Sequence, residues 1–229
     1  MALIGKGVLA IWNGIAPVAE DEFVAWHVRE HIPERVALPG FLRGRRYVAV
    51  DGHPKYFNFY ETETAADLSS TVYQAALNAP SAWTKAVVAH FTDTSRTICD
   101  VAWSLGRGEG GWIEAIALET ATAAEAFQAA MQAQLDGVIA TSPGIIGLHL
   151  LQGQVRAGQG ETAEKKLRGT PDKVAAWILL VEASRSEAID VFRGGAGSNA
   201  ALATCGAGDK IERGLYQIQF ALTKAELEM

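Results

Sequence analysis

The sequence carries the same punctuation twice. Pro39-Gly40-Phe41 and Pro143-Gly144-Ile145 lie 104 positions apart, and at that spacing Phe23 meets Phe127. Each Pro-Gly stops a helix-compatible stretch and precedes a strand-like run. Proline disfavours helical geometry in the residue before it, and glycine accepts the turn that follows. A chain that repeats its stop signals and its apolar register over half its length describes two copies of one supersecondary unit.

Reading along the first copy, residues 7–12 are β-rich. Glu20, Asp21 and Glu22 open a helix at the end where acidic side chains suit the dipole. Pro33 predicts a break of that helix near Ile32. Residues 42–50 and 55–61 form two strands around Asp51-Gly52, the best short hairpin signal in the chain. A helical region covers 65–77 and resumes after Pro80, and 96–105 closes the unit as a strand. Past the glycines of 106–111 the order returns: strand 112–118, helix 123–139, strands 145–154 and 174–182, short helix 186–192, strand 214–222. The last strands match at a spacing of 117, as in Leu105 with Leu222 and Asp100 with Gln217. Polar residues 161–173 take up the difference and read as an exposed loop.

The expected fold is therefore α+β: two tandem ferredoxin-like β-α-β-β-α-β units, residues 1–108 and 109–229, forming one pseudo-dimeric α+β barrel. A lone unit would leave one sheet face bare. Phe57 and Phe59 on one side of their strand, with Tyr56, Asn58 and Tyr60 on the other, ask for two buried faces. The lined interior of the barrel is the expected place for a ligand.

Composition removes several classes of function. Hydrophobic residues make up 49% and charged residues 20%, the balance of a globular protein. The net charge is -6 and no basic block stands out, which argues against nucleic acid. No apolar run approaches the roughly 20 residues that span a bilayer. Residues 1–13 lack the features of a secretory signal. The 2 cysteines, Cys99 and Cys205, are too few for a disulfide framework or a zinc ribbon. The expectation is a cytoplasmic protein with reduced thiols, no membrane or nucleic-acid partner, and a small-molecule ligand, a homodimer being left open.

The densest polar segment runs from Trp26 to Arg35. On a helix His27 and His31 share a face, with Glu30 and Glu34 beside them. Arg43, Arg45 and Tyr47 then alternate onto one face of the next strand. At the 104 spacing Trp26 becomes Ala130, His27 Met131, Glu30 Gln134, His31 Leu135 and Arg35 Ile139. The second copy keeps the apolar register and loses every ionisable member, which marks the cluster as a site rather than a folding requirement. His27 and His31 are the candidate proton-moving groups. Arg35, Arg43 and Arg45 are candidates for holding a carboxylate or enolate, with Tyr47 and Trp26 as further substrate contacts. His149, at the place of Arg45, is a third acid–base candidate, although a hydrogen-bonded core histidine is the plainer reading. By the same comparison, His31→Leu with Arg35→Ile should cost no more than about 1–2 kcal/mol of stability. His27-Val28-Arg29-Glu30-His31 matches a zinc-protease string, but two imidazoles supply half a tetrahedral site, so no metal is expected. Residues 195–200 imitate a dinucleotide fingerprint after a helix rather than a strand and read as a flexible loop.

The run Trp26–Phe41, closing on Pro-Gly-Phe and followed by Arg45-Arg46-Tyr47-Val48, resembles the EthD-like group of dimeric α+β barrel proteins. His31 and the Pro39-Gly40 stop match that pattern; no catalytic role is carried over with them. The resemblance implies small-molecule metabolism, and the wider superfamily includes cofactor-free monooxygenases, polyketide cyclases, lactone isomerases and haem enzymes. The leading expectation is a cofactor-free isomerase, cyclase or monooxygenase acting on an apolar or aromatic compound. A non-catalytic small-ligand binding protein and a haem-binding barrel with an axial histidine are the alternatives.

Overall fold

Eight strands carry the architecture: β1 (Gly7–Ile15), β2 (Phe41–Asp51), β3 (Tyr56–Thr62), β4 (Phe91–Gly106), β5 (Trp112–Thr120), β6 (Ile145–Gly153), β7 (Trp177–Ala183) and β8 (Ala207–Thr223). The computed structural model describes residues 3–154, 160, 162–168 and 173–227. In it the strands close into one antiparallel barrel in the order β1-β3-β2-β8-β5-β7-β6-β4. The pairings of the first four strands recur in the last four. Val8 faces Cys99 as Ile113 faces Tyr216, and Cys99 faces Gly153 as Tyr216 faces Ala49. The register slips between Phe41 and Arg43 in β2, and at the matching place between Ile145 and Gly147 in β6. Both faces of the wall are buried: every residue of β3 is inaccessible to solvent.

The helices lie outside the barrel. Over the first half sit α1 (Glu20–Trp26), α2 (Ile32–Ala37), α3 (Thr71–Asn78) and α4 (Ala82–Val88); the second half carries α5 (Ala124–Leu135), α6 (Val138–Thr141), α8 (Ser186–Gly194) and α9 (Asn199–Thr204), with α7 (Ala163–Arg168) and α10 (Lys224–Leu227) as short additions. Local hydrogen bonding places several ends. Ser70 and Ser81 accept from the backbone amides of Tyr73 and Thr84 at 3.2 and 2.9 Å, starting α3 and α4. A capping box between Thr64 and Asp67 holds residues 65–69 in a tighter turn, so α3 begins later than the sequence suggests. Ser198 caps α9, so of the stretch 195–200, read as a flexible loop, residues 195–198 are turn and Asn199 and Ala200 are already helical.

Two further expectations change. Pro33 does not break the first helix. His27–His31 instead form a π-helical segment in which the Ile32 amide donates to the His27 carbonyl, and α2 continues to Ala37. Proline lacks an N–H and its ring crowds the carbonyl four residues back; widening one turn accommodates it without ending the helix. The 104-spaced partner of Pro33 is Gly137, which adopts φ 76° and does end a helix. The insertion is also not a simple exposed loop. Of 161–173, residues 162–168 and 173 are described, and α7 packs on α3 and α4 with Glu164 buried; the remainder lies outside the described residues. No helix among the described residues is long and apolar enough to cross a membrane.

Candidate functional site

The sheet wall divides the sequence-predicted constellation in two. Successive residues of a strand point to opposite faces, so Arg43, Arg45 and Tyr47 of β2 enter the barrel while Arg46 points outward toward the Val24 carbonyl. His27, His31, Trp26 and Arg35 belong to the helix outside. There they line a cavity of about 230 Å³ between the helices and the outer face of β1, β3 and β4, together with Leu9, Ile11, Asn58, Tyr60, Tyr73, Phe91, Arg96 and Glu164. The close approach of helix to sheet depends on Gly44, where a Cβ would lie 2.9 Å from Ile32 and 3.0 Å from the Tyr60 ring.

Aromatic packing fixes the two imidazoles. His27 stacks on Phe23 at 5.1 Å between centroids and on His31 at 5.6 Å, and His31 lies 4.3 Å from the Trp26 ring. Trp26 is anchored by its Nε1–H, which donates to Thr84 at 3.1 Å. The Tyr60 hydroxyl meets His27 Nε2 at 3.3 Å. Both Nδ1 atoms are buried without a hydrogen-bond partner. Burial holds the His27 imidazole well below its ordinary value of 6.5, with the Arg46 charge acting the same way. Burial does the same for His31, reinforced by Arg35, His27 and Arg168. Burial drives the Tyr60 phenol upward. At neutral pH the cavity thus presents two neutral imidazoles and a neutral phenol, the forms in which an imidazole accepts a proton and a phenol donates one.

Arg35 takes part differently than the sequence suggests. Its guanidinium is ion-paired with Glu164 of α7, and both side chains are buried. Burial lifts the Glu164 carboxyl in spite of Arg35 beside it. Replacing Arg35 alone by isoleucine would strand that carboxylate, so the small stability cost expected for His31→Leu with Arg35→Ile is corrected.

Inside the barrel the expected ligand space is packed. Tyr47 stacks on Phe59 at 6.0 Å, the Arg45 guanidinium lies 4.1 Å over Phe59, and Phe57 touches Tyr216 at 5.6 Å. At one end Arg45 bridges Glu61 and Glu182 at 3.1 Å each and donates to the Tyr47 hydroxyl. Arg43 also pairs with Glu61, and His149 lies 3.5 Å from Glu182 and 2.8 Å from Ser104. Burial would raise the Glu182 carboxyl, but Arg45, His149 and the Gly110 amide bring it down to about 2. His149 is therefore a partnered interior group, remote from the outer pocket by a full sheet thickness. A cleft of about 730 Å³ at the opposite mouth is lined by Trp12, Ala115, Ala117 and Tyr216 and by charged rim residues. Among the described residues no group of three or more His, Cys, Asp or Glu side chains is placed to hold a metal.

Sequence reasoning missed Glu61 and Glu182, Tyr73, Arg96 and Glu164. Tyr60 was marked only as unlikely to face solvent. Glu164 had no signal at all, since it sits in the inserted segment.

No family model and no curated protein matches the chain. Solved structures match over nearly its whole length at low identity. An anthrone oxidase-like protein superposes with a TM-score of 0.65 at 14% identity, covering 99% of this chain and 97% of that one. A protein from Fusobacterium nucleatum subsp. nucleatum, provisionally described as a monooxygenase, gives 0.59 at 9% identity with 97% and 96% covered. Chlorite dismutase from Candidatus Nitrospira defluvii, solved with imidazole, gives 0.56 at 10% identity with 98% and 94% covered. At such identities the likeness is one of fold: the chain is an α+β barrel of the dimeric, ferredoxin-like kind, with all eight strands supplied by one polypeptide.

Proposed function

We propose that the chain is a small-molecule enzyme that moves a proton with an imidazole of the outer pocket, acting on a compact apolar or aromatic substrate without metal, haem or nucleotide. The observation that carries this reading is the pair of stacked, neutral imidazoles, each with a buried and unpartnered Nδ1, in a cavity walled by rings. His31 takes a proton from a carbon beside a carbonyl, or from a phenol. His27, with the Tyr60 hydroxyl against its Nε2, is placed to relay or return it. Trp26, Tyr60, Tyr73 and Phe91 line the cavity with aromatic surface against which a compact ring could pack. Isomerisation, cyclisation and cofactor-free oxygenation share this first step, and the fold neighbours described as anthrone oxidase-like and as a monooxygenase are in keeping with it. In this reading residues 1–108 supply the acid–base groups, residues 109–229 complete the barrel and the cavity wall, and the protein works in the cytoplasm.

The size of the outer pocket speaks against haem as its ligand. Its 230 Å³ lie below the roughly 300–1,000 Å³ of pockets that hold drug-sized ligands, and a macrocycle needs more.

The test is exchange of substrate hydrogen with deuterated solvent. Chelator-treated protein is incubated with a panel of small ring ketones and phenols, and mass spectrometry follows deuterium at the acidic position. Exchange should exceed the protein-free rate, and His31→Gln should lower it by about 100-fold, the lower end of general-base contributions. Binding without exchange throughout the panel would favour the non-catalytic binding protein instead.

A further inference from the structure

The two halves keep one arginine in common and treat it differently. Arg96 in β4 pairs with Ile11, and Arg213 in β8 pairs with Ile116 in the same register. In the second half Arg213, at 3.3 Å, shares with Arg193, at 2.7 Å, the carboxylate of Glu114, a residue of β5 that faces Leu215 and has no solvent exposure. The register partner of Glu114 in the first half is Leu9, which faces Ile98 and lines the outer cavity. Arg96 lines that cavity too. Its guanidinium donates to the Tyr73 hydroxyl at 3.0 Å and makes no direct ion pair among the described residues, Glu164 acting on it only at longer range. Glu164, the one carboxylate among the cavity's described lining residues, is bound to Arg35. Beyond the Arg35–Glu164 pair, Arg96 and Lys165 add positive charge to the described lining, in a chain whose net charge is -6.

We propose that the ligand of the outer pocket carries a carboxylate and that Arg96, steadied by Tyr73, recognises it as Arg213 receives Glu114. This assignment rests on the outer pocket being the ligand site, as argued above, and adds the chemical class of the ligand. A planar guanidinium beside a cavity is suited to a carboxylate, which it binds through two parallel donors. Leu9, standing where the second half has Glu114, offers Arg96 no carboxylate of its own. The ligand then completes, from outside the chain, an ion pair that the second half makes for itself.

Calorimetric titration of the full chain with benzoate and with benzamide, its neutral isostere, tests this. Benzoate should bind at least about tenfold more tightly than benzamide. Arg96→Gln should abolish that preference, bringing the two affinities within about threefold of each other, whereas a merely structural role would weaken both compounds alike and keep their ratio. Leu9→Glu, which copies the second half, should neutralise Arg96 from within and weaken benzoate by at least about tenfold in a protein that keeps Arg96. Equal affinities, a preference that survives in Arg96→Gln, or no binding of either compound up to about 10 mM would overturn the assignment. Deuterium exchange separates it from the catalytic reading. Exchange without a charge preference defeats this assignment alone, and a charge preference without exchange defeats catalysis alone.

Discussion

Arg35 and Glu164 form a buried ion pair between residues 129 positions apart. It ties α7, from the second half of the sequence, to the helix that carries both pocket imidazoles. A pair so buried contributes little when intact, but breaking it leaves an uncompensated charge.

Arg35→Ile should therefore cost about 3–5 kcal/mol in urea unfolding, and adding Glu164→Leu should recover most of that loss. A double variant no more stable than the single one would show that Glu164 is not the source of the cost.

The interior cluster should respond in the same way without touching the pocket. Arg45→Met removes the cation between Glu61 and Glu182, and a loss of about 3–5 kcal/mol is expected. Benzoate titrated into the folded fraction should retain its affinity within about twofold. A larger change would mean that the two sides of the wall are coupled.

The imidazoles set a pH dependence of known sign. In the unfolded chain His27 and His31 titrate near 6.5, whereas burial in the native state holds both well below that value. Below about pH 6.5 the unfolded state binds more protons, so stability is intact above that pH and falls as pH drops toward the native values. The slope is at most about 1.4 kcal/mol per pH unit for each histidine. Melting curves from pH 7.5 to 5 should show the decline, and His27→Met with His31→Leu, the second-half residues, should flatten it. Glu182 acts in a lower window, because its carboxyl lies at about 2 against an ordinary 4.5. Its contribution is present above about pH 4.5 and lost on the way to pH 2.

Gly44 faces the helix, and the second half has Leu148 at the equivalent position. Gly44→Leu should push the helix off the sheet, costing about 1–3 kcal/mol for overpacking. Trp26 fluorescence should shift as its contact with His31 opens. An unchanged spectrum and melting temperature would mean the helix has slack that the close contacts deny.

The barrel was legible because its signals are local and repeated: Pro39-Gly40 and Pro143-Gly144, the Asp51-Gly52 hairpin, and the pairing of Asp100 with Gln217 in one register. The 104 spacing placed Glu30, His31 and Arg35 against the uncharged Gln134, Leu135 and Ile139 and so pointed to the first half. What failed was sidedness. Arg43, Arg45 and Tyr47 alternate visibly, but the strand pattern alone does not say whether their face turns to the barrel or to the helices, since both are buried. The π-helical turn was also hidden. Pro33 signals a broken hydrogen bond, and whether a helix stops there or widens depends on packing against Gly44 and Tyr60. The Arg35–Glu164 pair joins segments that no periodicity relates.

The α7 segment has a consequence for how such a site responds to dilution. A barrel assembled from two separate chains comes apart as concentration falls, and any cavity whose wall crosses the junction opens with it. Here the helix with the imidazoles, the sheet behind it and the α7 wall in front are links of a single polymer. Their meeting is a unimolecular event, complete at any concentration at which the chain is folded. The halves have in exchange ceased to be interchangeable: the first carries His27, His31 and Arg35 where the second has Met131, Leu135 and Ile139, and only the second carries α7.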